Sequence, residues 1–294
     1  MNNKVLITGI DGFTGVHLER CLARQGYDVY GTVTFKTNRP KYYQCDITDA
    51  VQIDAVLAEV NPAYIIHLAA VSFVGEANAS LIYDVNVIGA ENLLQAAAKR
   101  CKALHKVILA SSATVYGNQG KEVLDESMCP KPVNHYGISK LAMESLAKNY
   151  FDKLPIVIAR PFNYTGLGQA EHFLIPKIVK AFKGKKQTIE LGNLDVSREF
   201  NAVDFVSDVY SRLLTSAKAE GVVNIASGRG IALLDVIAMM NEIAGYEIQI
   251  KVNPAYVRKG EIKSLTGSKE KLVHFIGDIK QKTFKETLQE MYEG

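Results

Sequence analysis

The sequence predicts an α/β protein: a doubly wound parallel sheet with a smaller mixed α/β lobe on its C-terminal side. Two observations support this prediction. Short apolar runs alternate with segments of helical periodicity over residues 1–160, as expected for strands that helices cover on both faces of a sheet. In addition, the first apolar run leads through a glycine-rich turn directly into a helical segment, which is typical of the first unit of such a sheet.

The first half of the chain supplies the predicted sheet. Its first strand is expected over residues 4–7 and its first helix over residues 17–25. Further strands are expected at 27–33, 41–45, 63–68, 106–110 and 155–160, and further helices at 49–59, 84–100 and from about 133 to 151. Strands and helices therefore alternate along this half, as in a chain of βαβ units.

Beyond residue 160 the pattern is less regular. Helices are expected at 173–183, 204–217, 233–244 and about 284–292, with short strands at 189–192 and 222–225, and an irregular segment from 245 to 283. No internal repeat or low-complexity linker separates the two halves. We therefore expect one domain over residues 1–165, to which the chain returns at about 200–225. A second lobe, from residues 166–199 and 226–294, is expected to pack against it and form one side of a cleft.

The composition is that of an ordinary globular protein, with 48% hydrophobic and 22% charged residues among 294. A net charge of +3 is too small to predict a nucleic-acid or membrane-surface partner, although it suits an anionic small ligand. We find no signal-peptide pattern and no run of 18 apolar residues. The four cysteines are scattered, which predicts reduced thiols and no metal site. These features predict a cytoplasmic protein.

Three glycines follow the first strand with the spacing Gly-x-x-Gly-x-x-Gly. Gly9 permits a tight turn, Gly12 leaves room for a pyrophosphate to approach the backbone, and Gly15 lets the helix pack on the strand. The helix N-terminus then faces the negative charge. In this strand–turn–helix context, the motif favours a dinucleotide site over a glycine-rich turn without a ligand.

The end of the second strand bears on the choice of coenzyme. In the common dinucleotide fold, an acidic residue there binds the ribose 2′-hydroxyl, and residues 31–35 contain no acid. Lys36, Arg39 and Lys41 follow, so this region favours a 2′-phosphate and therefore NADPH over NADH. The alternative is a solvated basic loop.

Other strand ends supply candidate contacts for the same ligand. Asp46 and Ile47 follow the third strand and are placed to meet an adenine ring. Ala69 and Ala70 end the fourth strand, where small side chains allow a cofactor to lie against the backbone. His67 lies within the apolar run, with no other histidine at a ligand spacing, so we expect it to be structural.

A tyrosine and a lysine share one face of the helix that is expected after Pro132. Tyr136 and Lys140 are four residues apart, and side chains at this spacing are neighbours on a helix. A free tyrosine has a pKa of about 10, and a nearby ammonium lowers it towards the range that is useful for proton transfer. Because Tyr-x-x-x-Lys also occurs on ordinary helix surfaces, the prediction depends on Ser111 and Ser112, which follow a buried strand at the edge where such sheets bind ligands.

These motifs together resemble the extended short-chain dehydrogenase/reductase family, in the branch that acts on nucleotide sugars. The resemblance rests on motifs that stand in the family's order: Thr8-Gly-x-x-Gly-x-x-Gly15, His67-Leu-Ala-Ala70, Asn86-Val-x-Gly-x-x-Asn-Leu-Leu, Ser-Ser-x-x-Val-Tyr-Gly117, Tyr136-x-x-x-Lys140, Arg160-Pro-Phe-Asn163 and Arg198-Glu-Phe200. Within that branch, residues 160–169 are most similar to the GDP-6-deoxy-4-keto-mannose reductases.

The resemblance implies a Rossmann fold and a hydride transfer between a nicotinamide, NADPH or NADH, and the C4 atom of a sugar. Tyr136 would exchange a proton with the C4 oxygen, and Ser112 would orient that oxygen. Lys140 would hold the nicotinamide ribose and, together with the positive nicotinamide, lower the pKa of Tyr136.

The resemblance also implies which residues hold each ligand. The substrate residues implied are Ser72, Ser112, Asn163, Arg198, Arg258 and Glu261. The cofactor residues implied are Gly9, Gly12, Phe13, Thr14, Gly15, Thr34, Lys36, Asp46, Ile47, Leu68, Ala69, Ala70, Asn86, Ala110, Tyr136, Lys140 and Phe162. The arginines would grip the nucleoside diphosphate, and an ordinary salt bridge is the alternative for each.

One position departs from the related 4,6-dehydratases. Those enzymes carry an acid two residues after the catalytic serine or threonine, whereas this chain has Thr114 there. Since a threonine hydroxyl is not a base near neutral pH, a dehydratase is not expected.

Three functions stay open. The first is a reductase of a nucleotide-linked 4-keto-6-deoxyhexose, with GDP favoured as the nucleotide. The second is a nucleotide-sugar 4-epimerase, which needs the same three catalytic residues; the missing acid on the second strand favours the reductase. The third is a catalytically silent NAD(P)-binding scaffold, because fold does not fix function.

Members of the family often form homodimers through two helices, which here begin near residues 86 and 136. Four leucines are available on those helices for such a contact: Leu93, Leu94, Leu141 and Leu146. A homodimer is therefore expected, and the alternative for these leucines is packing on the sheet.

Overall fold

A seven-stranded parallel sheet forms the centre of the protein. The computed structural model describes residues 2–72, 78–257 and 263–294. The strands, in chain order, are β1 Lys4–Thr8, β2 Asp28–Val33, β3 Tyr42–Gln44, β4 Tyr64–His67, β5 Lys106–Ala110, β6 Val123–Leu124, β7 Ile156–Pro161, β8 Tyr164–Thr165, β9 Thr188–Leu191, β10 Ser197–Glu199, β11 Asn201–Ala202, β12 Gly221–Ile225, β13 Gly230–Ala232, β14 Gln249–Val252 and β15 Ser264–Gly267.

The helices, in chain order, are α1 Phe13–Arg24, α2 Ala50–Val60, α3 Ala79–Tyr83, α4 Gly89–Arg100, α5 His135–Ala147, α6 Leu174–Lys183, α7 Val203–Thr215, α8 Leu233–Ala244, α9 Glu270–Ile276 and α10 Phe284–Glu293. The central sheet has the order β3-β2-β1-β4-β5-β7-β12, and its neighbouring strands pair in parallel. The predicted doubly wound parallel sheet is confirmed. The strand order reverses between β1 and β4, which is where ligands bind in such sheets.

Two hydrophobic layers hold the helices on the sheet. Along β1, Val5 and Ile7 join the layer that contains α1 and α7, whereas Leu6 joins the opposite layer with α2, α4 and α5. This alternation follows from the two-residue period of a strand. Because both faces are covered, the strand is apolar at all three positions, as the sequence pattern predicted.

The second half of the chain divides between this sheet and a separate core. Helix α7 packs on α1, and β12 extends the sheet beside β7. Helices α6, α8 and α10 share a third apolar cluster, in which Phe182, Met240 and Leu288 are fully buried. We call the elements around this cluster the C-terminal lobe.

The segment from 245 to 283 was expected to be irregular, and this prediction is wrong. It contains β14, β15 and α9. Strand β14 pairs with β9, and β15 pairs with β10 and β6. These strands are short and gain their hydrogen bonds from distant parts of the chain, so local sequence gives a weak signal for them.

The helix expected at 84–100 also differs in the structure. Helical backbone starts at α3, passes through a π-helical turn over Asp84–Ile88, and continues as α4. The π-helical turn brings the buried Asn86 towards the residues that follow β4, and such turns are common at functional sites.

Candidate active site

The glycine turn is built as the motif predicts. Gly9 has a φ of +69°, and a Cβ there would lie 2.9 Å from Cα of Ala69, at the end of β4. Only glycine meets both conditions without strain. A Cβ on Gly15 would lie 2.5 Å from the carbonyl oxygen of Ile10. The turn therefore lets the N-terminus of α1 come close to the carboxyl ends of β1 and β4.

The end of β5 presents the serine that was predicted to orient the substrate. Ser112 is 9% exposed and caps the 3₁₀ turn at Ala113–Tyr116. Its Oγ accepts hydrogen bonds from the backbone N–H of Thr114 at 3.2 Å and from Thr114 Oγ1 at 2.9 Å. Because Thr114 donates both of these bonds, the hydroxyl proton of Ser112 is left for another acceptor, and Ser112 forms a hydrogen bond with Tyr136.

Helix α5 places the predicted tyrosine and lysine beside Ser112. Asn134 caps the helix by accepting a hydrogen bond from the N–H of Gly137 at 2.8 Å, which fixes where the helix begins. The Lys140 side chain is buried, and its Nζ donates to the carbonyl oxygen of Ala110 at 2.8 Å. Nζ also lies 6.0 Å from the centroid of the Tyr136 ring. Ser112, Tyr136 and Lys140 therefore meet at the carboxyl end of β5.

Burial sets the protonation of this group. It lowers the pKa of Lys140 to about 8 and raises the pKa of Tyr136 well above its ordinary value. The nearby phenol of Tyr164 raises the Tyr136 pKa further, and the hydrogen bond to Ser112 opposes this. In the chain by itself the Lys140 ammonium is directed at Ala110, and burial dominates the Tyr136 pKa. That Lys140 and a bound positive nicotinamide together lower this pKa stays a prediction.

A cleft of about 590 Å³ joins this group to the glycine turn and to the C-terminal lobe. The cleft brings together most of the predicted site residues: Gly9, Gly12, Phe13, Thr14, Gly15, Leu68, Ala70, Ser72, Ala110, Ser112, Tyr136, Lys140, Phe162, Asn163 and Arg198. These residues come from the ends of β1, β4, β5 and β7, from β10 and from helices α1 and α5, so their convergence is a property of the fold. A further cavity lies between α1 and α7, outside this cleft.

Several predicted cofactor residues do not line the cleft. Asn86 is buried, and its amide is engaged by both backbone groups of Val71 and by Ser139 Oγ. The N–H of Ala69 donates to Thr8 Oγ1. Asp46 accepts hydrogen bonds from the N–H and Oγ1 of Thr48, and Ile47 is buried beneath α4. Asn86 and Ala69 therefore support the walls of the site from behind.

The end of β2 is exposed to solvent, whereas Ser112 and Lys140 of the catalytic group are buried. Thr34 and Lys36 are both exposed to solvent there. Arg39 is held by Glu19, with Nη2 at 2.9 Å from each carboxylate oxygen, and its guanidinium lies 4.1 Å from the centroid of the Tyr42 ring. Lys41 pairs with Asp28. Two of the three cations that favoured NADPH are thus engaged by carboxylates, which leaves Thr34 and Lys36 as the candidates for a 2′-phosphate.

The structure places some of the predicted substrate residues at the cleft and does not describe others. Asn163 and Ser72 are exposed at the cleft. Arg198 is half-buried on β10, and its Nη1 donates to the carbonyl oxygen of Ser197 at 2.8 Å. Arg258 and Glu261 lie outside the residues that the structure describes.

His67 is structural, as expected. It is fully buried, its Nδ1 lies 2.7 Å from Thr8 Oγ1, and burial lowers its pKa to about 3. It is therefore neutral at physiological pH and fastens β4 to β1 beneath the glycine turn.

The sequence reasoning missed several residues of the C-terminal lobe and its entrance. Tyr164 stacks on Phe13 with ring centroids 6.0 Å apart, and its hydroxyl lies 2.7 Å from Thr14 Oγ1. Lys177 on α6 lies 4.0 Å from the centroid of the Tyr256 ring. Other residues that line this side of the cleft include Gln169, His172, Phe173, Leu191, Gly192 and Asn193. Tyr164 follows directly after Asn163 and could have been found from that motif, whereas no local signal points to Lys177 or Tyr256.

The leucines proposed for a dimer contact pack within the protomer. Leu93 and Leu94 are fully buried in the layer below the sheet. Leu146 packs against the same layer, and Leu141 packs near Tyr116. The alternative that these leucines pack internally is the one that the structure bears out.

Two wider features concern the described part of the chain. No helix within it is both long and apolar enough to cross a membrane. In the same residues, no group of three or more histidine, cysteine and acidic side chains could hold a metal ion.

A glycine turn at the head of a parallel sheet, with serine, tyrosine and lysine beside it in one cleft, defines an extended short-chain dehydrogenase/reductase. Within this class, the family model of GDP-mannose 4,6 dehydratase matches residues 6–291, and the chain belongs to this family.

Known relatives match along nearly the whole chain. The GDP-6-deoxy-D-talose 4-dehydrogenase of Aggregatibacter actinomycetemcomitans is 37% identical, with 99% of this chain and 97% of the relative covered. The GDP-6-deoxy-D-mannose reductase of Pseudomonas aeruginosa is 31% identical, with 98% and 96% covered. The solved structure of RMD from Pseudomonas aeruginosa, complexed with NADPH, superposes with a TM-score of 0.87 at 29% identity, with 100% of this chain and 97% of that chain covered.

Proposed function

We propose that this protein is an NAD(P)H-dependent reductase of the 4-keto group of a nucleotide-linked 4-keto-6-deoxyhexose, with a GDP-linked sugar as the favoured substrate. The observation that carries the proposal is the meeting of Ser112, Tyr136 and Lys140 beside the glycine turn. The sugar class is supported by the names of the two relatives, both of which act on GDP-6-deoxyhexoses. The place of the protein is therefore in deoxysugar biosynthesis.

Tyr136 is the proposed proton donor to the C4 oxygen. Its raised pKa keeps the phenol protonated at neutral pH, which is the state that reduction of a ketone requires. Ser112 accepts from Thr114 and directs its own proton at Tyr136; with substrate bound, this proton would turn to the C4 oxygen. When bound, the nicotinamide supplies the hydride to C4.

Lys140 is proposed to hold the nicotinamide ribose. Its Nζ already donates to the carbonyl oxygen of Ala110, and an ammonium has two further protons to donate. The cofactor would lie between this group and the glycine turn, with its pyrophosphate at the N-terminus of α1. Phe13, Thr14, Leu68, Ala70 and the other cleft-lining residues predicted above would surround it.

The C-terminal lobe is proposed to bind the nucleoside diphosphate. Arg198 and Lys177 reach the cleft from this side, opposite Asn163, and cations are suited to a diphosphate. Residues 166–199 and 226–294 would then form the substrate-binding lobe, against a dinucleotide-binding domain over residues 1–165.

A dehydratase is not proposed, although the matching family bears that name. The position that would need an acid holds Thr114, whose hydroxyl donates to Ser112 at 2.9 Å. Neither the residue type nor its hydrogen bond suits a base that removes a proton from carbon.

NADPH is the proposed coenzyme, and a homodimer the proposed assembly. Thr34 and Lys36 stand where a 2′-phosphate would lie, without a carboxylate on residues 31–35. For the dimer, exposed apolar residues near the two helices include Leu81, Ile88 and Ile138, and these replace the four internally packed leucines as its candidate contacts.

The test is the absorbance of the reduced nicotinamide, followed with purified protein, NADPH or NADH, and a GDP-4-keto-6-deoxyhexose generated in place by a dehydratase. We expect stoichiometric loss of NADPH, abolished in Tyr136→Phe. Tyr150→Phe is the matched control, since its hydroxyl bonds to Glu91 outside the cleft. Interconversion of a nucleotide-linked hexose with its C4 epimer, without net loss of NADPH, would instead identify a 4-epimerase. If Tyr136→Phe altered only ligand affinity, a silent scaffold would be the better description.

A further inference from the structure

A buried carboxylate lies one helical turn beyond Lys140. Glu144 is 2% exposed, and its spacing from Lys140 places both side chains on one face of α5. A buried charge is costly unless it is paired and hydrogen-bonded. Glu144 is paired with Arg160 on β7, whose Nε lies 2.8 Å from Oε1 and whose Nη2 lies 2.6 Å from Oε2.

A third element joins this pair. Ser111, the residue after β5, donates its Oγ proton to Oε1 of Glu144 at 2.5 Å. Ser111 directly precedes Ser112, and Arg160 stands two residues before Phe162, which lines the cleft. The Glu144 carboxylate therefore ties α5 to the carboxyl ends of β5 and β7, which are the three elements that carry the catalytic group and the cleft wall.

The charges around Lys140 make Glu144 its counter-charge. From its own helix, Lys140 faces Tyr136 and Glu144. From β4 it faces His67, which burial keeps neutral, and from β7 the group behind Glu144 is Arg160. Among the described residues, Glu144 is the group that raises the Lys140 pKa against the effect of burial.

We propose that Glu144 is a positioning residue: held by Arg160 and Ser111, it fixes Lys140 relative to Ser112 and supplies the counter-charge of the buried Lys140 ammonium. The inference rests on the proposed role of Lys140 at the nicotinamide ribose. It assigns no contact between Glu144 and either ligand, because the carboxylate lies behind the cleft.

The first experiment is an NADPH titration by fluorescence at pH 6 and pH 8, with the wild type and Glu144→Gln. Without the counter-charge, Lys140 loses its proton roughly one pH unit lower. The variant is then expected to bind NADPH roughly three- to sixfold more weakly than the wild type at pH 8, but within about twofold at pH 6. An unchanged ratio of dissociation constants at the two pH values, or no loss at all, would overturn the proposal.

Two further variants separate position from folding. Glu144→Gln leaves the Arg160 charge buried and unpaired. The NADPH titration is therefore repeated with Glu144→Gln/Arg160→Met, which lacks both charges. Replacing both members of a buried ion pair is tolerated by many proteins. Ser111→Ala keeps the counter-charge and removes one anchor; it should lower kcat without moving the pH dependence of NADPH binding. Equal kcat in Ser111→Ala and wild type would refute the positioning role of this anchor.

Lys106→Met is the matched control for loss of a buried charge. Lys106 lies on β5 at the end far from the cleft, and its Nζ donates to the carbonyl oxygens of Ser216 and Ala219. The Lys106→Met variant should leave the pH dependence of NADPH binding unchanged. Should the wild type fail to reduce the keto sugar, the proposed function falls, whereas the titration still decides the role of Glu144.

Discussion

The two ends of the proposed cofactor site are built in opposite ways. At the catalytic end, Lys140 and Ser112 are buried, and each is held by hydrogen bonds to its own chain. At the β2 end, Thr34 and Lys36 are exposed. Groups fixed in a low-dielectric site act strongly on a reaction, whereas exposed charges are screened by water and salt. We therefore expect substitutions at the catalytic end to change rate by orders of magnitude, and those at the β2 end to adjust coenzyme preference by small factors.

The largest expected effect is that of Tyr136→Phe. Removing the proton donor should lower kcat by about 10³-fold, while NADPH affinity stays within about twofold because the hydroxyl is not needed to hold the ribose. Steady-state kinetics and a fluorescence titration of NADPH measure the two quantities. A loss of kcat of less than about tenfold would mean that another group donates the proton.

Gly9→Ala should have the next largest effect. The alanine would have to keep the positive φ of Gly9, and its Cβ would lie 2.9 Å from Cα of Ala69. The glycine turn must therefore shift away from β4. Strain of this kind costs about 1–3 kcal/mol. If the same free energy is lost from binding, the dissociation constant of NADPH should rise by about 5- to 150-fold. Thermal unfolding and NADPH titration measure both, and Gly26→Ala is the control, because it also has positive φ but no atom within 4 Å of the added Cβ. Equal loss of NADPH affinity in the two variants would argue against the close approach.

The pH dependence tests how well the catalytic end is buried. Burial lowers the pKa of Lys140 to about 8, so the ammonium is present below pH 8 and is lost as pH rises through that value. Tyr136 stays protonated throughout, because its pKa is raised. The kcat/KM for NADPH should therefore be level from pH 6 to 7.5 and fall by about tenfold by pH 9. A level profile to pH 9.5 would show that Lys140 is not buried enough to titrate there.

The residues of the catalytic end could be predicted from the sequence more completely than those of the C-terminal lobe, for a physical reason. Tyr136 and Lys140 are neighbours through helical spacing, and Ser112 follows a strand whose apolar run marks its end, so local pattern was sufficient. Lys177 and Tyr256 come together beside the pair of strands β9 and β14. The paired residues of these two strands are about 60 positions apart in the sequence, so no local pattern predicts the contact. The protonation of Tyr136 could not be predicted either, since burial by the surrounding cleft outweighs the charge of a lysine on the same helix.

The β2 end should respond least, and differently at its two cations. Lys36→Ala should raise the KM for NADPH by roughly three- to tenfold and leave that for NADH nearly unchanged, because an exposed cation contributes about 1 kcal/mol to a phosphate contact. Arg39→Ala should change either KM by less than about twofold, since its guanidinium already binds Glu19 and stacks on Tyr42. Steady-state kinetics with both coenzymes at low ionic strength measure the difference, and added salt should erase most of the Lys36 effect. The reverse ranking would mean that Arg39 leaves Glu19 when the coenzyme binds, and the β2 end would then be rebuilt by its ligand, whereas the catalytic end is already formed by the chain itself.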